Sequence, residues 1–339
     1  MSVTDTILKE LSKKGKIKVS DITGLTGFSR AYINRYLNEL ERNNKILLIG
    51  KANNAGYIAM EDRDEYKEVL LKTHLILNNK EIEEHEVLKR IKRETRIFND
   101  LKENIIGIVD YAFTEMLNNA IEHSKSRTID IHMGKENGQI YFAVRDKGVG
   151  IFNNIMRTKQ LSGVMPAIQD LLKGKETTLP SRHSGEGIFF TSKAADKLVI
   201  SSFEKELIFD NDMKDIFVKN KKKIKGTKVE FIINTAQKRT LSEVFGKYTE
   251  DFTFNKTGVL VKLYKPGAGY ISRSEARRLL TGLDKFKTID MDFDKVETVG
   301  QAFADEIFRV WQGIHKDINI NYTNANENVI FMIKRARGN

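Results

Sequence analysis

Cysteine is absent from the 339-residue chain, which excludes disulfides and cysteine-ligated zinc and suits a cytoplasmic protein. Proline occurs three times and nowhere before Pro166, so the dipeptide His85-Glu86 has no proline close behind it. Long apolar runs are missing too. None approaches the roughly 20 residues that a membrane-spanning helix requires, and the polar start MSVTDTILKE does not read as a secretory signal, so no membrane partner is expected. What the chain has in excess is positive charge. A formal net of +11 and a pI near 9.4 fit an acidic polymer or an anionic small molecule as partner. With 40% hydrophobic residues, the chain can build the cores of two or three domains.

The most informative stretch runs from residue 110 to 150. Ala112, Phe113, Met116, Leu117, Ala120 and Ile121 recur at three- and four-residue spacing, predicting an amphipathic helix with one buried face. Glu115 and Asn119 lie four apart on it. There a carboxylate and a carboxamide share one ridge, and together they can hold a hydrated magnesium ion and orient a water. Two runs of alternating apolar residues follow, Ile129, Ile131, Met133 and Ile140, Phe142, Val144, on either side of Asn137-Gly138, a hairpin pattern. The second run ends in Asp146-Lys147-Gly148-Val149-Gly150. An acidic residue at a strand end can accept a hydrogen bond from a base amino group, and glycines beyond it let backbone approach a flat ligand. Taken singly, each piece fits a solvated helix face or a plain turn.

Their order distinguishes them. E-x-x-x-N-A-x-E-H, a hairpin, then D-x-G-x-G resembles the Bergerat-fold ATPases of the GHKL group. Two further matches follow: Ser184-Gly185-Glu186-Gly187-Ile188 ahead of an apolar run to Ala195, and Gly226-Thr227 ahead of the run Val229 to Ile233. The resemblance covers about residues 75–235. It implies a site for ATP or ADP with Mg2+, in which Asn119 holds the metal, Glu115 is the catalytic base, Asp146 takes the adenine amino group and Thr227 supports it. In the same resemblance Gly148, Gly150, Ser184, Gly185 and Gly187 bind the nucleotide. Residues 151–183 then form a lid, with a helix from Val164 to Leu172 and with Lys173, Lys175, Arg182 and His183 toward the terminal phosphate. Free N–H groups at a helix start give Gly185 and Gly187 a physical reason to bind phosphate, although a plain N-cap needs no ligand. Past the glycine motif, Leu198 to Ile200, Leu207 to Phe209, Ile216 to Val218 and Val229 to Ile233 read as strands, with the lysines from Lys219 to Lys225 as a solvated hairpin tip.

Residues 1–60 read as helix, helix, glycine-containing turn, helix and hairpin. Ile7, Leu8 and Leu11 mark the first helix, and Val19 to Leu25 the second, with Ser20 or Asp21 to cap it. Ser29 caps a third helix through about Asn43, with Ile33, Leu37 and Leu40 at its apolar positions. Ile46 to Ile49 and Gly56 to Ala59 flank residues 51–55 as a β-hairpin. The unit resembles a bacterial winged helix, and ten Lys or Arg against five Asp or Glu give it a net charge of +5. By that resemblance Arg30, Tyr32, Asn34 and Arg35, early in the third helix, contact duplex DNA. The same fold also serves protein contact.

Residues 61–105 alternate acidic and basic side chains around scattered apolar positions, and charged helices fit best, as a connector or a self-association surface. His85 reads as part of a solvated face, because the phosphorylated His-Glu motif of sensor kinases is normally followed by a proline where this chain has Arg90. Residues 237–339 alternate strand and helix. Strands are expected at Gly258 to Leu263, Thr288 to Phe293 and Ile318 to Tyr322, and helices opening at Ser272 or Ser274, near Gly300 and at Val329. This part resembles the STAS-like domain of unknown function found beside such ATPases and is similar to anti-anti-sigma factors. The aspartate and phosphorylated serine of those factors fall on Gly300 and Gln301, so the acceptor is missing and a contact with a protein partner or a second copy is the plainer role.

The expected architecture is a multidomain α+β chain. A winged helix-turn-helix spans 1–60, a helical connector 61–105, a Bergerat α/β sandwich 106–236 with its lid at 151–183, and a small STAS-like α/β domain 237–339. The expected function is a cytoplasmic regulator that couples Mg-ATP binding or hydrolysis to DNA binding by the winged helix. The alternative is a serine/threonine protein kinase of the anti-sigma-factor type, acting on a partner protein.

Overall fold

The computed structural model describes every residue except 1, 50–54, 67–68, 81, 175–184, 251–252, 265–269, 271 and 339. The first helix, α1 (Val3–Lys14), begins where Ser2 and Asp5 cap each other reciprocally, side chain to backbone N–H in both directions. β1 (Lys16–Ile17), α2 (Val19–Thr26), α3 (Arg30–Arg42), β2 (Ile46–Ile49) and β3 (Gly56–Ala59) follow, with the strands ordered β1-β3-β2. Ile7, Leu11, Ile22, Ile33 and Leu37 close a core of their own between the three helices and this small sheet. The capping of α2 differs from expectation. Ser20 lies inside the helix, and Asp21 closes the first turn from within, its carboxylate accepting the Lys18 N–H at 2.8 Å. Of the expected hairpin turn, residues 51–54 lie outside the described residues.

The charged stretch after the wing is helical over only part of its length. Lys72–Asn78 is β4, an edge strand, and Glu84–Glu94 is α4. A strand wins at β4 because Leu75 and Leu77 pack on the main core while Ile76, between them, stays 66% exposed, a period of two rather than of 3.6. There follow α5 (Glu103–His123), β5 (Thr128–Glu136), β6 (Gln139–Asp146), α6 (Ile151–Thr158), α7 (Val164–Lys173), α8 (Gly187–Ala194), β7 (Lys197–Asp210) and β8 (Asp215–Asn234). The five strands form an antiparallel sheet in the order β4-β5-β6-β8-β7. α5 buries Ala112, Phe113, Met116 and Leu117 in the core beneath it, where Phe113 meets Phe142 edge-on and Phe142 stacks on Phe231. The four short strands expected after residue 197 are two long ones. The lysines from Lys219 to Lys225 sit within β8 and not at its tip, because backbone pairing with β7 continues past them and Lys221 meets the Glu206 carboxylate at 2.5 Å.

The chain closes with α9 (Leu241–Gly246), β9 (Thr249–Glu250), β10 (Thr253–Phe254), β11 (Lys256–Leu260), α10 (Arg273–Leu280), β12 (Thr288–Asp292), α11 (Gln301–Asp305), α12 (Gln312–Ile314), β13 (Asn319–Thr323) and α13 (Glu327–Arg337). A π-helical segment, Glu306–Trp311, joins α11 to α12. β11, β12 and β13 run parallel, and α10 is capped by Ser272 and not by Ser274. β11 ends at Leu260, three residues short of expectation, and turns there into a short 3-10 segment. Phe254 packs against Phe189 and Phe190 of α8 at 4.6 and 5.0 Å, so the central core runs without a break into the carboxy-terminal one. Among the described residues no helix is long and apolar enough to cross a membrane.

Candidate functional site

The flank of α5 that does not pack on the sheet faces a cavity. Glu115, Asn119 and His123, spaced four apart on one ridge, line it from the helix side, and Val144, Asp146, Thr227 and Val229 from the sheet. Gly150, Ile151 and Asn154 at the start of α6, Leu171 of α7, and Gly185 to Ile188 at the start of α8 complete the wall.

Asp146 ends β6 and is 4% exposed. Its carboxylate accepts the Gly148 N–H at 2.8 Å. Burial pushes the carboxyl above the ordinary carboxylate range, and hydrogen bonds from Gly148 and Thr227 only partly offset this. Thr227 has a second task, for its hydroxyl oxygen accepts the Ile151 N–H at 2.9 Å, an amide in the first turn of α6 that has no partner within the helix. Gly226, with φ +77, is the residue that makes room. A side chain there would collide with the carbonyl and carboxylate of Asp146. Gly148 does not line the cavity. A side chain on it would strike the Ser124 carbonyl, and that same carbonyl accepts the Val149 N–H at 2.8 Å, so Gly148 ties the turn to the end of α5 and orients Asp146 through its N–H.

Gly187 opens α8, and a side chain there would overlap the Glu115 carboxylate. Glu115 therefore rests against the positive end of a helix dipole, which is also where a phosphate would be held. One turn earlier, burial first and then the charges of Glu115 and Glu186 raise the pKa of the Tyr111 hydroxyl. Gly185 borders the cavity, whereas Ser184 lies outside the described residues, as do Lys175, Arg182 and His183. Lys173 departs from expectation. Its ammonium donates to the Thr281 carbonyl at 2.6 Å, toward the carboxy-terminal domain and not toward the cavity. His123, Ser124, Asn154 and Glu186 also line the cavity and were not singled out in the sequence. For His123 the signal was available, since it falls four residues after Asn119, while Asn154 carries none.

On the winged helix, Arg30, Asn34 and Arg35 are exposed on the first turns of α3, which Ser29 caps through the Tyr32 N–H at 3.2 Å. Tyr32 is half-buried. Its ring lies 4.7 Å from that of Phe28 and its hydroxyl 3.0 Å from the Tyr36 hydroxyl, so it braces the helix start as much as it faces outward. His85 stands exposed at the start of α4, its Nε2 3.5 Å from the carboxylates of both Glu83 and Glu86.

A buried carboxylate at a strand end, a turn shaped for glycine and the start of α8 on the wall of one cavity together fit an adenine nucleotide. Family models match three parts of the chain. Residues 4–46 match a winged helix-turn-helix DNA-binding model, residues 79–209 a histidine kinase-like ATPase domain, and residues 275–329 a STAS-like domain of unknown function. No curated protein matches the chain. The three domains expected from the sequence are thus present in the expected order, each with its own sheet.

Proposed function

We propose that this chain, a winged helix-turn-helix, a histidine kinase-like ATPase domain and a STAS-like domain in series, is a regulator that binds Mg-ATP or ADP around Asp146 and passes the occupancy of that site to DNA binding. The observation that carries the reading is the Asp146 carboxylate, buried at a strand end and bordering a cavity that the start of α8 also lines. Asp146 accepts the adenine amino group, with Thr227 beside it. Gly150, Gly185 and Gly187 let the backbone approach the nucleotide, and Ser184 precedes Gly185 and Gly187 in the second glycine motif. Asn119 offers its carboxamide oxygen to Mg2+, and bound ATP supplies a transferable phosphoryl group.

Physical connections lead from the cavity wall toward the wing. α4 packs on α5, with Lys92 2.5 Å from Asp110, and α4 ends at Thr95, whose carbonyl accepts the Arg63 guanidinium from the segment after the wing. The Arg96 N–H donates to the Leu70 carbonyl at 2.9 Å, and Leu70 packs with Leu47, Ile49 and Ile58 of the wing. Measuring duplex binding by the purified full chain with no nucleotide, with ADP and with Mg-ATP tests the coupling. A nucleotide-dependent shift in affinity supports it, and equal affinity in all three rejects it.

The position of Glu115 at the start of α8 favours a second reading, because it puts a base beside the expected place of the terminal phosphate. In that reading the chain is a serine/threonine kinase for a partner. Labelled phosphate appearing on a separate STAS-domain protein would select it.

A further inference from the structure

The outer face of the central sheet carries a cluster that the nucleotide reading does not use. β4 and β5 pair so that His74 stands directly opposite His132, and Asp130, two residues before His132, presents its side chain on the same face. His74 Nε2 lies 2.7 Å and His132 Nε2 3.1 Å from one and the same atom, Asp130 Oδ1. The two imidazoles stack with centroids 3.8 Å apart and planes 13° apart. Among the described residues this is the one group of three histidine or acidic side chains whose ligand atoms all lie within 4.8 Å of one another.

We propose that His74, Asp130 and His132 form a binding site for a divalent first-row transition ion of the Zn2+ class. Two imidazoles and a carboxylate are the donor set that such ions prefer, whereas Mg2+ and Ca2+ favour oxygen alone. The pre-existing geometry demands little movement. Ligand atoms now 2.7 and 3.1 Å apart need open only to roughly 3.3 Å to surround an ion at about 2.0–2.1 Å. All three ligands come from one face of two neighbouring strands, so the outward positions remain for water. The donors must shed protons to bind, and acid therefore weakens the site. The ion fastens edge strand β4 to β5, and β4 follows directly on the segment that carries Leu70 into the wing.

The test uses the untagged full chain without nucleotide, titrated with ZnCl2 by calorimetry and with Co2+ by visible absorption. One ion per chain is expected, with a ligand-field spectrum for Co2+ and a higher melting temperature with Zn2+. His132→Ala and Asp130→Asn should each weaken binding at least about 10-fold, the scale that even an outer-shell partner controls. The His132 side chain is 49% exposed, so losing its stacking on His74 should cost little stability, and a metal-free melting temperature close to that of the wild type checks this. Asp146→Ala should bind Zn2+ as the wild type does. Absence of saturable binding, or binding that survives both substitutions, overturns the proposal.

Discussion

The ammonium of Lys173 donates to the carbonyl of Thr281 at 2.6 Å, joining the last residue of α7 to the end of α10 across two domains. A second bond reinforces the first, because the Thr257 hydroxyl donates to the Lys173 carbonyl, also at 2.6 Å. α7 borders the cavity through Leu171. Any displacement of α7 over a ligand must therefore carry the carboxy-terminal domain with it or break both bonds.

This junction should be visible in the pH dependence of stability. Burial, opposed by Asp170 and aided by Lys159 and Lys285, holds the Lys173 pKa down to about 8. Between that value and the ordinary lysine range the folded chain binds fewer protons than the unfolded one, so its contribution to stability rises with pH across this window. Denaturant midpoints of the wild type should climb there relative to those of Lys173→Met. Parallel curves for the two proteins would contradict the assignment.

Asp146 should make nucleotide affinity depend on pH in the opposite region. Its carboxyl is raised by burial, and the adenine amino group binds the ionised form, so affinity should begin to fall on acidification above the ordinary carboxylate range. Asp146→Asn cannot titrate and should lose that dependence. Asp146→Ala leaves the ligand's donor unpaired, at a cost of about 1–3 kcal/mol or roughly 5- to 150-fold in Kd. Equilibrium binding of a fluorescent ATP analogue reads both.

Glu115 and Asn119 should separate chemistry from binding. Replacing Glu115 with Gln removes a negative charge from the start of α8, so ATP should bind at least as tightly while any hydrolysis disappears. Asn119→Ala should weaken Mg-ATP and leave magnesium-free nucleotide unaffected. Wild-type protein without turnover would remove the base role and leave a nucleotide sensor.

On the winged helix, Arg30→Ala and Arg35→Ala distinguish two kinds of contact. Uniform loss over all sequences with a shallower salt slope marks a phosphate contact, while relaxed preference at one base pair, about 1–3 kcal/mol, marks base readout. Tyr32→Phe should act differently, through loss of the hydroxyl contact with Tyr36 and a less ordered helix start. Gel shifts across a salt series give the answer, and failure to shift any genomic fragment at low salt would point to protein contact instead.

How much of this the sequence discloses depends on the range of the interaction. The periodicity of α5, the Asn137-Gly138 hairpin and the Ser29 cap are local, and each stands where its residues predict it. β4 was hidden because its inward leucines are flanked by charge and its pattern completes itself only beside β5. The lysines of β8 resemble a tip because nothing nearby in sequence shows that β7 pairs past them. The D-x-G-x-G spacing shows Gly148 only as part of a turn, while the close approach of the Ser124 carbonyl, more than twenty residues earlier, shows only in the fold. The metal-ligand cluster was illegible for the same reason, since the partner of Asp130 and His132 lies on another strand.

The aromatic continuity of Phe189, Phe190, Phe245, Phe254 and Phe286 sets the cooperativity of the molecule. A chain cut near residue 236 would lay bare the rings of Phe189 and Phe190 and invite self-association, whereas the amino-terminal helices keep their own enclosed core. Melting should thus divide the chain into two cooperative blocks for its three domains. The STAS-like domain is then part of the foundation of the ATPase domain.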